Sequence, residues 1–154
     1  MGNRGVLLVT NGKIGVLFYS HWYGDKGNIT FLIKSALELG KKANAPDYWL
    51  QDPKYFSYYL LTSSYREIYS HLLRKYARKG YPLPPILVPV TSPYGTFDID
   101  PENYLYVLDL KEGNLYLLKP GKDISIKIDE ITTEQIILTI LTTYKENYTD
   151  KVRI

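Results

Sequence analysis

A histidine, a tryptophan and an aspartate stand together in the stretch YSHWYGD, residues 19–25, although the whole chain has only two histidines and two tryptophans. Histidine is the residue type best suited to proton transfer near neutral pH, which makes His21 a candidate for that role. Trp22 and Tyr23 offer flat faces on which a base can stack. The alternative is a packing role, in which Trp22 fills the core and His21 bonds to backbone.

Arg4 is the first candidate for anion binding. Its planar guanidinium can donate two parallel hydrogen bonds to a carboxylate or a phosphate. It lies at the start of an apolar run that predicts a strand. A structural ion pair with Asp25 or Asp109 is the competing interpretation.

Carboxylates cluster in the stretch DIDPEN, residues 98–103. Asp98 and Asp100 are separated by one residue, so an extended chain points both to the same side. Phosphodiesterases that use Mg²⁺ hold the metal with such carboxylates, and Glu67 is the predicted third one. The alternative is a structural role, because Asp-Pro, here Asp100-Pro101, commonly begins a turn.

A polar face is predicted on the second long helix. Glu67, His71, Arg74 and Arg78 fall at i, i+4, i+7 and i+11, opposite a stripe formed by Tyr65, Ile68, Tyr69, Leu72 and Tyr76. Cations at the end of a helix complement the macrodipole. These cations could also bind phosphate, provided that this end of the helix faces the same side of the protein as the His21 loop.

The first half of the chain predicts a hairpin followed by two long helices. Apolar runs at 5–10 and 14–19 flank Asn11-Gly12, a dipeptide typical of a type I′ turn. A one-sided apolar stripe predicts a helix at 28–43 capped by Asn28. Asp52-Pro53 opens a helix over 53–79, in which Ser64-x-x-Glu67 is a capping-box pattern that restarts the helix if it is broken.

The second half predicts a proline-rich connector, a second hairpin and a last helix. Five prolines between residues 81 and 95 allow only an edge strand around 86–90. Residues 103–110 and 114–118 form the second hairpin, 124–128 a short strand, and 133–148 a helix. We therefore predict a single α+β domain over 1–154, in which both hairpins join one mainly antiparallel sheet covered by helices.

Composition excludes several classes of site. Without cysteine there is no disulfide, thiolate metal site or cysteine nucleophile. Neither a membrane span nor a signal peptide is recognisable, which predicts a soluble cytoplasmic protein without a membrane partner. The net charge of +3 permits an acidic partner. Sixteen tyrosines and one methionine are reminiscent of hyperthermophile proteins.

Two stretches, MGNRG followed by YSHWYG and, later, YLYVLDLKEGNLYLLKPG, resemble a family of small, mostly uncharacterised bacterial, phage and archaeal proteins. Its members begin Met-Gly-Thr-Arg-Gly and carry a Tyr-x-Tyr-Val-Ile-Asp-Leu hairpin. The resemblance implies an archaeal or viral type of protein but no settled activity. It singles out Gly2, Arg4, Gly5, Tyr19, His21, Trp22, Gly24, Tyr104, Tyr106 and Asp109. The chain departs from the family at Asn3 and Tyr23, where threonine and aspartate are usual.

The hairpin register predicts one shared pocket. Residues 2–5 should lie beside 19–24, with the second signature on a nearby strand. Arg4, His21, Trp22 and at least one of Asp25, Tyr104, Tyr106 or Asp109 would then line one cleft.

The sequence leaves two functions open, and with them whether the protein is an enzyme. One is binding or cleavage of nucleic acid, with Mg²⁺ at Asp98 and Asp100 and phosphate at Arg4, Arg74 and Arg78. The other is a non-catalytic interaction protein, such as a host-defence antagonist. It would bind a protein partner, or a second copy as a homodimer, through a tyrosine-rich surface.

Overall fold

The computed structural model describes residues 4–90, 96–99, 104–118, 124–127 and 133–154. Two hairpins form the centre of a six-stranded sheet. Strands β1 (Gly5–Thr10) and β2 (Gly15–Ser20) make the first hairpin, and β5 (Tyr104–Asp109) and β6 (Asn114–Leu118) make the second. The edges are β3 (Val88–Pro89) and β8 (Tyr148–Arg153), so the strand order is β3-β2-β1-β5-β6-β8.

The two hairpins join where β1 and β5 pair as parallel strands. Gly5 lies beside Tyr104 and Thr10 beside Asp109, while the other four strand pairs of this sheet are antiparallel. All six residues of β1 are buried, as expected for a central strand whose apolar run is continuous. The predicted α+β fold with a mainly antiparallel sheet is confirmed.

Helices cover both faces of the sheet. One face packs against α1 (Lys26–Lys42) and the helical segment 53–79, and the short helix α2 (Asp47–Leu50) lies between these two elements in the chain. That segment consists of α3 (Pro53–Ser64), a π-helical turn (Tyr65–Tyr69), α4 (Ser70–Tyr76) and a final 3₁₀ turn (Ala77–Lys79). The opposite face packs against α5 (Thr133–Asn147). Among the described residues no helix is long and apolar enough to cross a membrane.

Alternation along β1 divides its side chains between the two cores. Val6 and Leu8 pack on the α5 side, whereas Leu7 and Val9 pack on the α1 side. On β5, Leu105 packs on the α5 side and Tyr106 on the α1 side, as expected because successive side chains of a strand point to opposite faces.

Three local predictions need correction. Asp25, not Asn28, caps α1, because its carboxylate accepts from the Asn28 backbone N–H. The first turn is not type I′. It is a four-residue loop closed by the side chain of Asn11, which accepts from the N–H groups of Lys13 and Ile14.

The capping box at Ser64 is also wrong, because the Ser64 hydroxyl donates back to the Leu61 carbonyl. The chain there continues into the π-helical turn without a break. The predicted strand 124–128 exists as β7 (Ile124–Lys127), but it pairs with β4 (Thr96–Ile99) in a separate two-stranded sheet.

Three elements escaped sequence analysis, and one of them is the strand β4. The short helix α2 follows Pro46, and the edge strand β8 begins at Tyr148, where a helix was still predicted. The sequence of β8 is largely polar and does not by itself predict a strand. It forms one because its backbone pairs with the edge of β6. Its charged side chains are typical of a protected sheet edge.

Candidate functional site

The stretch at residues 19–25 is first of all a tight junction between β2 and α1. Gly24 lies against Gly5 so closely that a Cβ added to Gly24 would be 2.3 Å from the Gly5 nitrogen and 2.7 Å from the Arg4 carbonyl carbon. The Gly24 carbonyl accepts a hydrogen bond of 2.6 Å from the hydroxyl of Tyr106. Residues from the stretches at 19–25 and 104–109 therefore meet here, in a packing role.

Tyr106 and Asp25 lie on the α1 side of this junction. Burial is the main cause that raises the pKa of Tyr106 far above its ordinary value, and the charge of Asp25 adds to it. The Tyr106 hydroxyl therefore stays protonated and acts as a donor to Gly24. Both carboxylate oxygens of Asp25 are bonded to Asn28, at 3.2 Å to its backbone nitrogen and 2.6 Å to its side-chain nitrogen. The ring of Tyr104 stacks on Tyr106 with centroids 6.1 Å apart.

His21 and Trp22 form a separate group. The Tyr19 hydroxyl lies 3.0 Å from Nδ1 of His21, and the Trp22 ring is 5.9 Å from the His21 ring. Trp22 is 46% exposed, so it does not fill the core. Arg4 is also exposed, one residue before the Gly5–Ser20 pair, so the strand register brings it to the end of the sheet where His21 lies.

The predicted pocket residues are thus distributed over three places. Tyr19, beside His21, packs on the α5 side of the sheet, whereas Tyr106 packs on the α1 side. Tyr23 packs with the α1-side core as well. Asp109 lies at the far end of β5, beside Thr10 rather than Gly5. A cleft shared by Arg4, His21 and Trp22 stays a prediction.

Asp109 closes the second hairpin. It is only 5% exposed, and its Oδ1 accepts from the backbone N–H groups of Lys111 and Glu112 at 3.0 and 3.1 Å. Tyr144 donates to its Oδ2 over 3.4 Å. Burial, with a contribution from the Asp109 charge, raises the pKa of Tyr144 to about 12.

The predicted magnesium ligands are not brought together by the described residues. Glu67 is exposed on the π-helical turn, and Asp98 lies on β4 opposite Ser125. Asp100 lies outside the described residues. Within the described part of the chain, no group of three or more histidine and carboxylate side chains could hold a metal ion. A Mg²⁺ site therefore stays a prediction.

A long exposed surface runs along the helical segment 53–79. Tyr55, Tyr58 and Tyr65 are 50%, 67% and 53% exposed. Near its start, the rings of Trp49 and Tyr55 stack with centroids 5.4 Å apart. We call this surface the aromatic–basic face, and it consists of Lys54, Tyr55, Tyr58, Tyr65, Arg66, His71, Arg74, Lys75 and Arg78, all of them exposed.

The π-helical turn keeps this face on one side of the helix. Before the turn, Phe56 and Leu60 are buried in the α1-side core, and after it Ile68 and Leu72 pack against the same core. A π turn holds more residues than an α turn, so it rotates the following positions relative to a regular helix. The same rotation corrects the predicted stripe, because Tyr65 is exposed rather than aligned with Ile68.

Charge is concentrated on this segment. Residues 53–79 carry six lysines and arginines and one carboxylate, whereas the rest of the chain carries thirteen and fifteen. Within the described residues the only ion pair joins Lys26 to Asp150. The arginines of the face are therefore available to an external anion.

Sequence analysis found part of this surface. Arg74 and Arg78 were predicted, but Tyr55, Tyr58 and Arg66 were missed as site residues. Their signal was available, since all three lie at helical spacing opposite Phe56 and Leu60. Family models, curated proteins and solved structures were all compared with the chain, and none of them matches it.

Proposed function

We propose that this protein binds single-stranded nucleic acid along the aromatic–basic face. The observation that carries the proposal is the presence, on one side of a single helical segment, of exposed tyrosine rings and of cations that form no ion pair with the described residues. Proteins that bind single strands combine these two features, a basic track for the phosphates and aromatic rings for the bases.

The tyrosines supply the stacking platform. Tyr55 and Tyr58 are neighbours on the helix surface, about one turn apart. Tyr65 lies further along the same exposed side, next to Arg66. Bases that are paired in a duplex expose only their edges in the grooves. Stacking on these rings therefore requires an unpaired strand.

The cations favour a polyanion over a neutral protein surface. Arg66, Arg74 and Arg78 follow one another on the exposed side, Lys75 is next to Arg74, and Lys54 lies at the start of the same helical segment. The face extends over about 36 Å at the helical rise of 1.5 Å per residue. An acidic protein could use the same surface, and the experiment below separates the two cases.

The first test measures fluorescence anisotropy of labelled oligonucleotides of about 20 nucleotides, single-stranded and duplex. We expect tighter binding of the single strand. With four cations engaged, log K should fall with log salt at a slope of about −2.8, or about 50-fold between 50 and 200 mM. Equal affinity for both forms, or an affinity independent of salt, would contradict the proposal and favour a protein partner.

Matched variants locate the surface. Tyr58→Ala should weaken binding by about 5- to 150-fold, the range expected for one stacked base. Arg74→Ala should reduce the salt slope by about 0.7. Tyr148→Ala and Arg153→Ala remove the same side chains from the edge strand β8 and should leave binding unchanged. If the β8 variants lose as much affinity as the helix variants, the assigned surface is wrong.

Cleavage is tested in the same samples. The predicted site at Asp98, Asp100 and Glu67 requires Mg²⁺-dependent product that disappears in Asp98→Asn and Asp100→Asn. Binding without product would support a non-catalytic protein and leave the proposed surface intact.

A further inference from the structure

We propose that a cavity on the α1 side of the sheet binds a small uncharged molecule with a hydrocarbon body. The cavity has a volume of about 150 Å³. Its walls come from α1, α2 and the residue that follows it, the start of α3, the end of β5 with the turn of the second hairpin, and the last residue of the chain.

The cavity has an apolar inner end and an open mouth. Ile33, Phe56 and Leu108 form the inner end, and each of them is at most 1% exposed. Asp47 and Gln51 are exposed and lie at the mouth. A molecule can therefore enter from solvent and bury an apolar body against side chains of three different elements.

Polar groups in the walls are already bonded within the protein. The backbone N–H groups of Leu110, Gly113 and Ile154 each donate to a backbone carbonyl over 2.8 Å. The carboxylate of Asp109 points to the opposite face of the sheet, where Tyr144 donates to it. No lysine, arginine or histidine is among the described residues that line the cavity. A ligand atom that accepts hydrogen bonds would lose its bonds to water there without replacement, and a charged group would lose still more.

The volume and the lining set the size of the ligand. Seven of the eleven lining residues are leucine, isoleucine or phenylalanine. An apolar cavity of about 150 Å³ with such a lining stays dry and holds one benzene ring in other proteins. Atoms that line a dry void lack dispersion contacts on one side, and a hydrocarbon restores those contacts. A single ring or a short branched chain therefore fits.

This inference goes beyond the proposed function and does not depend on it. None of the residues that line the cavity belongs to the aromatic–basic face. A protein that binds oligonucleotides but no hydrocarbon would refute only the cavity proposal, and the reverse result would refute only the nucleic-acid proposal.

The test titrates the full chain with benzene and with pyrazine and follows the methyl groups by NMR. Pyrazine has the shape of benzene but carries nitrogen atoms at opposite positions of the ring, so at least one nitrogen leaves water however the ring binds. It should bind at least about tenfold more weakly than benzene, because an acceptor without a donor is unfavourable in an apolar site. Saturable shifts with benzene should be confined to the cavity walls, chiefly to the methyl groups of Ile33, Leu37, Leu50 and Leu108.

A cavity-filling variant and its control complete the design. Leu37→Phe adds a ring to the wall of the cavity and should abolish benzene binding, whereas Leu138→Phe, at an exposed position on α5, should leave it unchanged. The proposal would be overturned by the absence of saturable shifts with benzene, by shifts elsewhere in the protein, or by equal affinity for the two rings. Unchanged benzene binding by a folded Leu37→Phe variant would overturn it as well. The shift map of the unaltered protein decides the matter even if that variant does not fold.

Discussion

Replacing Gly24 by alanine should destabilise the fold strongly. The added Cβ would lie 2.3 Å from the nitrogen and 2.6 Å from the Cα of Gly5. Both are backbone atoms of a fully paired strand, so neither can rotate away as a side chain would. Overpacking of this kind costs about 1–3 kcal/mol.

The same substitution threatens a buried hydrogen bond. If the loop moves away from β1, the Gly24 carbonyl leaves the Tyr106 hydroxyl, now 2.6 Å away. A buried donor without an acceptor costs about 1–3 kcal/mol. We therefore expect Gly24→Ala to lower the free energy of unfolding by about 2–6 kcal/mol if both effects add in full.

Chemical denaturation followed by tryptophan fluorescence measures this loss, with the slope against denaturant checked for constancy. Gly27→Ala is the matched control. Its Cβ would meet only a side-chain oxygen of Asp25, at 3.3 Å, in the first turn of α1. Alanine is the better helix former by up to about 1 kcal/mol, so this change should leave the free energy of unfolding unchanged or raise it. A Gly24→Ala protein as stable as its control would refute the packing role of the junction.

Three further perturbations test local structure. Asp25→Ala should lower the free energy of unfolding by about 0.5–2 kcal/mol, measured by circular-dichroism melts. Asp25→Asn should lower it much less, since the amide oxygen can still accept from the Asn28 backbone N–H and cap the helix. Asn11→Ala should cost about 1 kcal/mol in the same assay, because it removes the acceptor that closes the first loop. Burial, and then the charge of Asp109, raise the pKa of Tyr144 to about 12, so the stability that Tyr144 contributes is complete below the ordinary tyrosine pKa of about 10 and is lost as pH rises towards 12. The denaturation midpoint should fall between about pH 10 and pH 12, and it should fall less steeply in the Tyr144→Phe variant. A variant whose midpoint depends on pH as in the unaltered protein would contradict this prediction.

Short-range patterns predicted most elements of the fold. Asp52 and Pro53 start α3 because the aspartate caps the next turn and proline suits its first position. The second hairpin follows from apolar runs on either side of Lys111-Glu112-Gly113. These features depend on contacts within a few residues, so the local sequence is sufficient.

The first turn shows where local patterns fail. Asn11-Gly12 favours a two-residue turn, but the Asn11 side chain forms two bonds to backbone further along and closes a four-residue loop. Both outcomes use the same dipeptide. The four-residue loop pairs Thr10 with Gly15 and Val6 with Tyr19, a register two residues away from the one that a turn at Asn11-Gly12 alone would give.

The sequence by itself determined which residues could do chemistry, while the tertiary structure decided which of them share a surface. Arg4 and Asp109 are both polar residues at strand ends, yet the parallel pairing of β1 with β5 puts them at opposite ends of the sheet. Tyr65 joins Arg74 on one exposed side only because a π-helical turn lies between them. Such groupings arise from packing between elements that are distant in the chain, and no local periodicity contains that information.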